Sequence, residues 1–247
     1  MKILGIIPSR FGSTRFPGKA LVDIQGTSMI QRVYRQTQKS SLLSKVVVAT
    51  DHQKIFDHVK NFGGNVTLTS PDHPSGTDRC LEALYQEKES YDFVINIQGD
   101  EPLIDPQQID TLAGHLDKST EVATLAKKIQ QQDELFNPNV VKVVFDQNHR
   151  ALYFSRSTIP FIQGHPHKTW LESHPYYKHL GIYAYRSDLL QKYTELEISQ
   201  LEKSESLEQL RWLDNGYSIQ IVETHLETIG VDTPEDLEKI KVLLAEG

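Results

Sequence analysis

The sequence predicts an α/β protein built on a mixed, mostly parallel sheet. Two observations support this fold, and a third limits the function. Short apolar runs alternate with amphipathic helical patterns through the first half of the chain. The chain has 247 residues, 38% of them hydrophobic, which is enough for one large domain with a substantial core. The net charge of −7 argues against a general nucleic-acid- or membrane-surface-binding protein.

The first half of the chain predicts four strands, each followed by a helix. We expect strands over residues 2–8, 45–50, 65–68 and 93–97, and helices over 29–39, 53–61, 77–88 and 106–116. Ser28 is suited to cap the first helix, and Gly63-Gly64 to end the second. Right-handed crossovers place the carboxyl ends of such strands along one edge of the sheet, where ligands bind. The loops Ser9 to Lys19, Ser70 to Thr77 and Gln98 to Pro102 should therefore converge.

The second half of the chain has a different pattern, which is typical of an antiparallel subregion. Residues 122–129, 140–145 and 151–155 are predicted as antiparallel strands, with Asp146-Gln147-Asn148 as a hairpin turn. A strand over 179–185, helices over 187–193 and 205–213, a strand over 218–222 and a helix from Pro234 follow. No linker or repeat divides the chain, so we treat 1–247 as a single domain with parts 1–120, 121–230 and 231–247.

Cysteine use and hydropathy favour the cytoplasm. Cys80 is the only cysteine, so an intrachain disulfide cannot form. No apolar run reaches the length of about 18 residues that a membrane helix needs. The N-terminal stretch is interrupted by Pro8 and Arg10, and it indicates a strand rather than a signal peptide.

The first loop has the composition of an anion site. Lys2, Arg10, Arg15 and Lys19 all precede Asp23, the first acidic residue, although the whole chain is acidic. The loop SRFGSTRFPGK combines glycines and hydroxyl groups with cations, as phosphate sites do. Five residues separate Gly12 from Gly18-Lys19, and Ala20 follows, so the loop is not a Walker P-loop. Alone, it fits either a phosphate site or a solvated surface loop.

One aspartate could hold a metal ion, and another lies at a predicted helix start. Asp100 follows a predicted strand, and Mg²⁺ typically takes one or two carboxylates beside phosphate oxygens. Asp100 could equally cap the helix that begins near Pro106. Asp232 precedes Thr233-Pro234, a good helix start in which acidic residues are common.

Nine blocks, taken together, resemble the 3-deoxy-manno-octulosonate (Kdo) cytidylyltransferase family of sugar nucleotidyltransferases. They occur in order across nearly the whole chain, and they are PSRFGSTRFPGKAL, VVVATDH, SPDHPSGTDR, INIQGDEPLI, FNPNVVKVV, ALYFSRSTIP, HLGIYAYR, LEQLR and GVDTPEDLE. The resemblance implies a Rossmann-like nucleotide-diphospho-sugar transferase fold, with an antiparallel subregion that forms a homodimer.

The resemblance also implies a set of site residues. Lys19, Arg15, Asp100 and Asp232 would be catalytic, and the two aspartates would bind Mg²⁺. CTP would contact Arg10, Ser13, Arg15, Lys19, Ser70, His73, Gly76, Thr77, Arg79, Gln98 and Gly99. Kdo would contact Arg156, His179, Tyr183, Glu208 and Gln209. Several have ordinary alternatives: Thr77 as a helix cap, Tyr183 as core, and Glu208 and Gln209 as a solvated helix face.

The implied reaction transfers CMP from CTP to the anomeric hydroxyl of Kdo, for lipopolysaccharide biosynthesis. Alternatives are a related acidic sugar such as an amino variant of Kdo or sialic acid, a metal-dependent glycosyltransferase, or a non-catalytic nucleotide-binding module. One segment departs from the family pattern, because Phe161, Ile162 and Gln163 follow SRSTIP where charged residues are usual. His165 and His167 nearby suggest a surface loop, since no third metal ligand has suitable spacing.

Overall fold

The computed structural model describes residues 1–12 and 16–246, which form two compact units. The first unit comprises Met1–Gly114, Ala184–Thr194 and Thr228–Gly247, and the second comprises His115–Tyr183 and Glu195–Glu227. The first two predicted parts meet near the break at residue 114. The segments 184–194 and 228–247 join the first unit although they lie far along the chain.

The first unit is built on parallel strands, as the alternating pattern predicts. Its strands are β1 (Ile3–Ser9), β4 (Lys45–Thr50), β5 (Val66–Leu68) and β6 (Phe93–Asn96), in the order β6-β1-β4-β5. Gly5 in β1 is aligned with Val46 on one side and Ile95 on the other. Strands buried on both faces consist of continuous apolar runs, and such runs can be identified in the sequence.

The first three long helices of the first unit connect these strands, and three more follow later in the chain. They are α1 (Met29–Thr37), α2 (Gln53–Asn61), α3 (Gly76–Tyr85), α4 (Pro106–Gly114), α7 (Ser187–Glu195) and α10 (Pro234–Glu246). A hairpin of β2 (Asp23–Ile24) and β3 (Thr27–Ser28), which the sequence reading missed, precedes α1. Among the described residues, no helix is long and apolar enough to cross a membrane.

Caps at three helices confirm or correct the sequence reading. The Ser28 hydroxyl accepts from the Gln31 N–H at 3.3 Å and caps α1, as predicted. The cap of α3 is Ser75, whose hydroxyl accepts from two backbone N–H groups, so the alternative of Thr77 as cap is wrong. Thr233 caps α10 through its contacts with Asp236.

The second unit contains both parallel and antiparallel pairs. Its strands are β7 (Val122–Lys128), β8 (Lys142–Phe145), β9 (Ala151–Ser155), the first part of β10 (Tyr177–Arg186) and β11 (Ile219–Thr224). The predicted hairpin of β8 and β9 is confirmed. The prediction that residues 122–129 are antiparallel fails for the pairing of β7 with β11, which is parallel, while the other neighbour of β7 in the sheet is β10.

Short helices complete the second unit. They are α5 (Gln132–Phe136), α6 (Trp170–Ser173), α8 (Gln200–Glu205) and α9 (Gln209–Asp214). The single helix expected over 205–213 is therefore two, with Ser206 in a left-handed conformation between them. A buried ion pair joins the two helices, since Arg211 donates to both carboxylate oxygens of Glu202 at 2.7 Å.

Part of the segment after Pro160 packs against a buried apolar cluster. Ile162 lies against a buried cluster that includes Trp170 and Tyr176. The Tyr176 hydroxyl donates to the Pro160 carbonyl oxygen at 2.7 Å. His165 and His167 are exposed, as expected of a surface loop. The apolar residues that depart from the family pattern thus include one that packs in this cluster.

We predict that Glu202→Ala lowers the free energy of unfolding by about 3 kcal/mol. The substitution leaves the guanidinium of Arg211 without its carboxylate in a site that is only 9% exposed. Urea unfolding followed by circular dichroism measures this change. Lys241→Ala, which removes a helix-surface ion pair with Glu238, is the control and should cost less than about 1 kcal/mol. Equal effects of the two variants would contradict the prediction.

Candidate active site

Three predicted residues from distant parts of the chain meet in the first unit. The ammonium of Lys19 lies 2.6 Å from a carboxylate oxygen of Asp100 and 3.3 Å from one of Asp232. It also donates to the Val231 carbonyl oxygen at 3.1 Å. The Val231 N–H donates to the Asp100 carbonyl oxygen at 2.9 Å, which fixes the C-terminal segment beside the end of β6. One cation is therefore shared by two carboxylates.

The three predicted loops converge at this edge of the sheet. Gly99 lies so close to β1 that a Cβ atom there would stand 2.8 Å from the Pro8 carbonyl oxygen, so no side chain fits without a shift. A Cβ on Gly76 would lie 3.7 Å from the ring of Pro8. The loops after β1, β5 and β6 thus meet around Pro8, as the rule for parallel sheets predicts.

The first loop is held at both of its described ends. The Gly18 N–H donates to the Phe11 carbonyl oxygen at 3.0 Å, with Gly18 at a φ of 71° that favours glycine. The Phe11 N–H donates to Asp51 at 3.0 Å, and the Phe11 ring stacks on His52 with centroids 4.0 Å apart. Arg10 is exposed beside this closure. Ser13 and Arg15, two of the predicted phosphate ligands, lie outside the described residues.

Asp51 also binds Arg79, and sequence reasoning missed it. The Arg79 guanidinium, 3% exposed, lies 3.3 Å from Asp51 and donates to Thr69 Oγ1 at 2.6 Å and the Ser70 carbonyl oxygen at 3.1 Å. Asp51 follows β4 directly. The rule that ligands bind at the carboxyl ends of parallel strands, applied to β4 as well, could have identified it. The predicted contact of Arg79 with the base stays a prediction.

The other predicted nucleotide residues lie on the neighbouring loops. The Ser70 N–H donates to Glu82 at 2.8 Å, and His73 Nε2 contacts the same carboxylate. Burial opposes ionisation of Glu82, but these two contacts more than offset it and lower the pKa of Glu82. Thr77 is buried, with its hydroxyl 3.3 Å from that of Tyr185. Gln98 and Gly99 are partly exposed at the end of β6.

Glu101 lies next to this cluster in an unusual state for a carboxyl group. Burial, reinforced by the charge of Asp100, raises the pKa of Glu101 to about 8. Asp100 and Asp232 are the more exposed carboxyl groups beside it. No group of three or more possible metal-binding side chains occurs among the residues that the structure describes.

The predicted sugar residues group in the second unit. The rings of His179 and Tyr183 lie 5.2 Å apart, and Tyr183 packs on Trp212. Burial, with a further contribution from the charge of Glu208, raises the pKa of Tyr183 well above its usual value. Gln209 is 4% exposed, and its Nε2 has no hydrogen-bond partner among the described residues. Tyr183 is thus buried, as its alternative as a core residue expects, and Gln209 is buried rather than part of a solvated face.

The imidazole of His179 is neutral, and its contact with the hydroxyl of Thr124 indicates which ring nitrogen carries the proton. Nε2 lies 3.0 Å from the hydroxyl of Thr124. That hydroxyl has one proton, and it faces the carbonyl oxygens of Ile182 at 2.7 Å and Leu180 at 3.1 Å. Nε2 must then donate to Thr124, which leaves Nδ1 as an acceptor. Although solvent reaches part of the ring, burial lowers the pKa of His179 to about 3.

Comparisons with known proteins give one consistent result. The model of a family described as Cytidylyltransferase matches residues 4–227. A relative in Cytophaga hutchinsonii, named 3-deoxy-manno-octulosonate cytidylyltransferase, is 53% identical over 97% of this chain and 96% of its own. A relative with the same name in Parabacteroides distasonis is 54% identical over 99% of both chains.

Solved structures agree with the sequence relatives. A CMP:2-keto-3-deoxy-manno-octonic acid synthetase complexed with CTP superposes with a TM-score of 0.92 at 43% identity, covering 100% of this chain and 99% of the other. A 4-diphosphocytidyl-2C-methyl-D-erythritol synthase from Anaerococcus prevotii has a TM-score of 0.65 at 14% identity, over 99% of this chain and 96% of its own, and shares the fold.

We predict that His179 makes the protein less stable in acid. Below about pH 6.5 the imidazole of the unfolded chain binds a proton, whereas the imidazole of the folded chain stays unprotonated down to about pH 3. The free energy of unfolding should therefore fall by up to about 1.4 kcal/mol for each pH unit below 6.5 on account of this residue, with no such loss above it.

Urea unfolding of the unmodified protein and of His179→Gln at about pH 7, 6 and 5 isolates this contribution. The glutamine variant keeps the other titrating groups, so its stability should depend less on pH over this range. Parallel pH profiles for the two proteins would show that His179 does not resist protonation.

Proposed function

The chain belongs to the 3-deoxy-manno-octulosonate cytidylyltransferase family, and from this premise we propose how its residues transfer CMP from CTP to Kdo. In this reaction the anomeric hydroxyl oxygen of Kdo attacks the α-phosphorus of CTP and loses its proton. The bond between the α- and β-phosphates breaks, and pyrophosphate leaves. No covalent enzyme intermediate is required, so positioning and charge neutralisation supply the catalysis.

The cluster of Lys19, Asp100 and Asp232 carries this proposal. Two carboxylates that already share a cation form an arrangement suited to a divalent ion, and Mg²⁺ commonly takes one or two carboxylates together with phosphate oxygens. We therefore propose Asp100 and Asp232 as its protein ligands. Bound there, Mg²⁺ would polarise the α-phosphate and acidify the attacking hydroxyl.

Lys19 neutralises charge on the leaving group. Its side chain is 17% exposed, and its ammonium contacts the carboxylates of Asp100 and Asp232 and the carbonyl oxygen of Val231. A fixed cation next to the phosphates stabilises the charge that develops on pyrophosphate. Arg10, with Arg15 and Ser13 of the same loop, would hold the triphosphate, while Arg79, Gln98 and the segment 70–77 would receive the base.

The second unit supplies groups for an acidic sugar. The guanidinium of Arg156 suits the carboxylate, because among the described residues it donates only to the carbonyl oxygens of Pro138, Glu205 and Ser206. His179 offers an acceptor at Nδ1, and Gln209 offers an unused amide donor. Tyr183 and Glu208 complete the set of groups that can bond sugar hydroxyls.

The assembly and cellular setting follow the family. We propose a homodimer whose interface covers apolar side chains of the second unit that are exposed in one chain, among them Leu152 at 61% and Ile198 at 53%. Light scattering in solution would measure the mass. A cytoplasmic role in lipopolysaccharide biosynthesis fits the use of CTP and Kdo.

We predict that the purified protein releases pyrophosphate from CTP only with Kdo and Mg²⁺. A coupled phosphate assay measures this release, with sialic acid, an amino variant of Kdo and other nucleoside triphosphates as a comparison panel. EDTA should stop the release and excess Mg²⁺ restore it. A folded protein that releases none with Kdo would refute the proposed function, and preference for another sugar would reassign the substrate.

We predict that Asp100→Ala lowers kcat on the order of a hundredfold or more, because it removes a carboxylate beside the reacting phosphates. The fold should survive, since Asp100 is partly exposed. Asp57→Asn is the control, because Asp57 is an exposed aspartate in α2 of the same unit. Near-normal turnover in Asp100→Ala, with the circular dichroism spectrum unchanged, would remove Asp100 from the site.

A further inference from the structure

Lys142, the first residue of β8, is a fully buried lysine whose hydrogen bonds to the described residues all go to backbone carbonyl groups. Its side chain is 0% exposed. The ammonium donates to the carbonyl oxygens of Val140 at 2.6 Å, Arg156 at 2.7 Å and Asn137 at 2.9 Å. An ammonium has three N–H groups, so all of its donors are used. No carboxylate oxygen of a described residue lies within ion-pair distance of it.

Such an arrangement is costly for stability alone. A buried ammonium with no carboxylate in contact carries a large desolvation cost, which the more distant charge of Glu205 offsets in part, and an apolar side chain of similar length would fill the space more cheaply. Lys178, a buried lysine aligned with Lys142 on β10, shows the contrasting solution, since it pairs with Glu134 and Glu227. A role in holding particular carbonyl groups accounts for Lys142 better than packing does.

The three carbonyl groups belong to the two segments that hold Arg156. Asn137 and Val140 belong to the turn before β8, and Arg156 directly follows β9. The Arg156 guanidinium donates to the carbonyl oxygen of Pro138, which lies between the two turn residues, at 3.2 Å. Lys142 thus fixes both the backbone from which the Arg156 side chain starts and the turn that one end of its guanidinium contacts.

The third support of Arg156 is the end of α8. Its Nε donates to the Glu205 carbonyl oxygen at 2.6 Å, and its backbone N–H donates to the Glu205 carboxylate at 2.9 Å. The Ser155 hydroxyl donates to that carboxylate at 2.6 Å. The carboxylate therefore accepts from the Ser155 hydroxyl and the Arg156 backbone N–H, and the guanidinium bonds Glu205 at its carbonyl oxygen. Arg156 is held in place while its charge stays available to a ligand.

We propose that Lys142 is a positioning residue that sets the Arg156 guanidinium for the carboxylate of the sugar acid. This inference rests on the proposed function, because it takes Arg156 as the group that receives this carboxylate. Lys142 touches neither the sugar nor the nucleotide in this account. Its loss should therefore weaken the use of the sugar and leave the use of CTP unchanged.

The variant Lys142→Met tests the inference by steady-state kinetics with each substrate varied in turn. It keeps the length of the side chain and removes the charge and the donors. We expect the KM for Kdo to rise about tenfold, with kcat and the KM for CTP within about twofold of the unmodified protein. Lys127→Met is the matched control, since Lys127 is a largely buried lysine of the same unit that pairs with Glu227.

A double-mutant cycle separates positioning from general destabilisation. Arg156→Gln should itself raise the KM for Kdo, and adding Lys142→Met to it should raise this KM less than about twofold further, because the residue being positioned is already gone. A role of Lys142 that is merely structural would multiply the two effects. Lys142→Gln, which keeps two N–H donors, should show a smaller change in the same direction if Lys142→Met does not fold.

Each outcome decides the question. A selective rise in the KM for Kdo that vanishes in the Arg156→Gln background supports the inference. An unchanged KM for Kdo, a multiplicative double variant, or parallel losses for both substrates would overturn it while leaving the proposed function intact. Absence of pyrophosphate release by the unmodified protein would instead refute the proposed function, and this inference with it.

Discussion

The pairing of one lysine with two aspartates organises the first unit. Lys19 follows the strand β1, Asp100 follows β6, and Asp232 precedes α10, so the three charges come from segments that are distant in the chain. A cation in contact with both carboxylates offsets the repulsion between their charges. The order of the parallel strands brings the first two loops together, and the hydrogen bond from Val231 to Asp100 adds the third. A nucleotide arriving at this edge meets charges that are already arranged.

The sequence predicted what depends on local pattern and missed what depends on distant partners. The strands β1, β4 and β6 are apolar on both faces and are legible without any knowledge of their neighbours. The parallel pairing of β7 with β11 was not predicted, because this partner lies nearly one hundred residues later in the chain. Local periodicity contains no information about such a pairing.

The same distinction applies to the candidate site. Lys19, Asp100 and Asp232 were predicted because the rule for parallel sheets and the family resemblance both point to loops after strands. Lys142 was not, because a lysine at the start of a strand resembles any solvated lysine in the sequence. Its partners are backbone carbonyl groups, which every residue has, so residue type gives no sign of them. Asp51 was missed for a related reason, since it binds a backbone N–H and a buried arginine.

The close approach of Gly99 to Pro8 has a consequence for how this protein can change over evolutionary time. With no room for a side chain there, the surface at that point consists of main-chain atoms alone. Every residue has the same main-chain groups, so substitutions in the sequence do not change the main-chain atoms that a ligand meets there. Adaptation to a different nucleotide would have to proceed through the flanking side chains, such as Gln98, around an unchanging patch. The innermost part of the edge is thus also its least evolvable part.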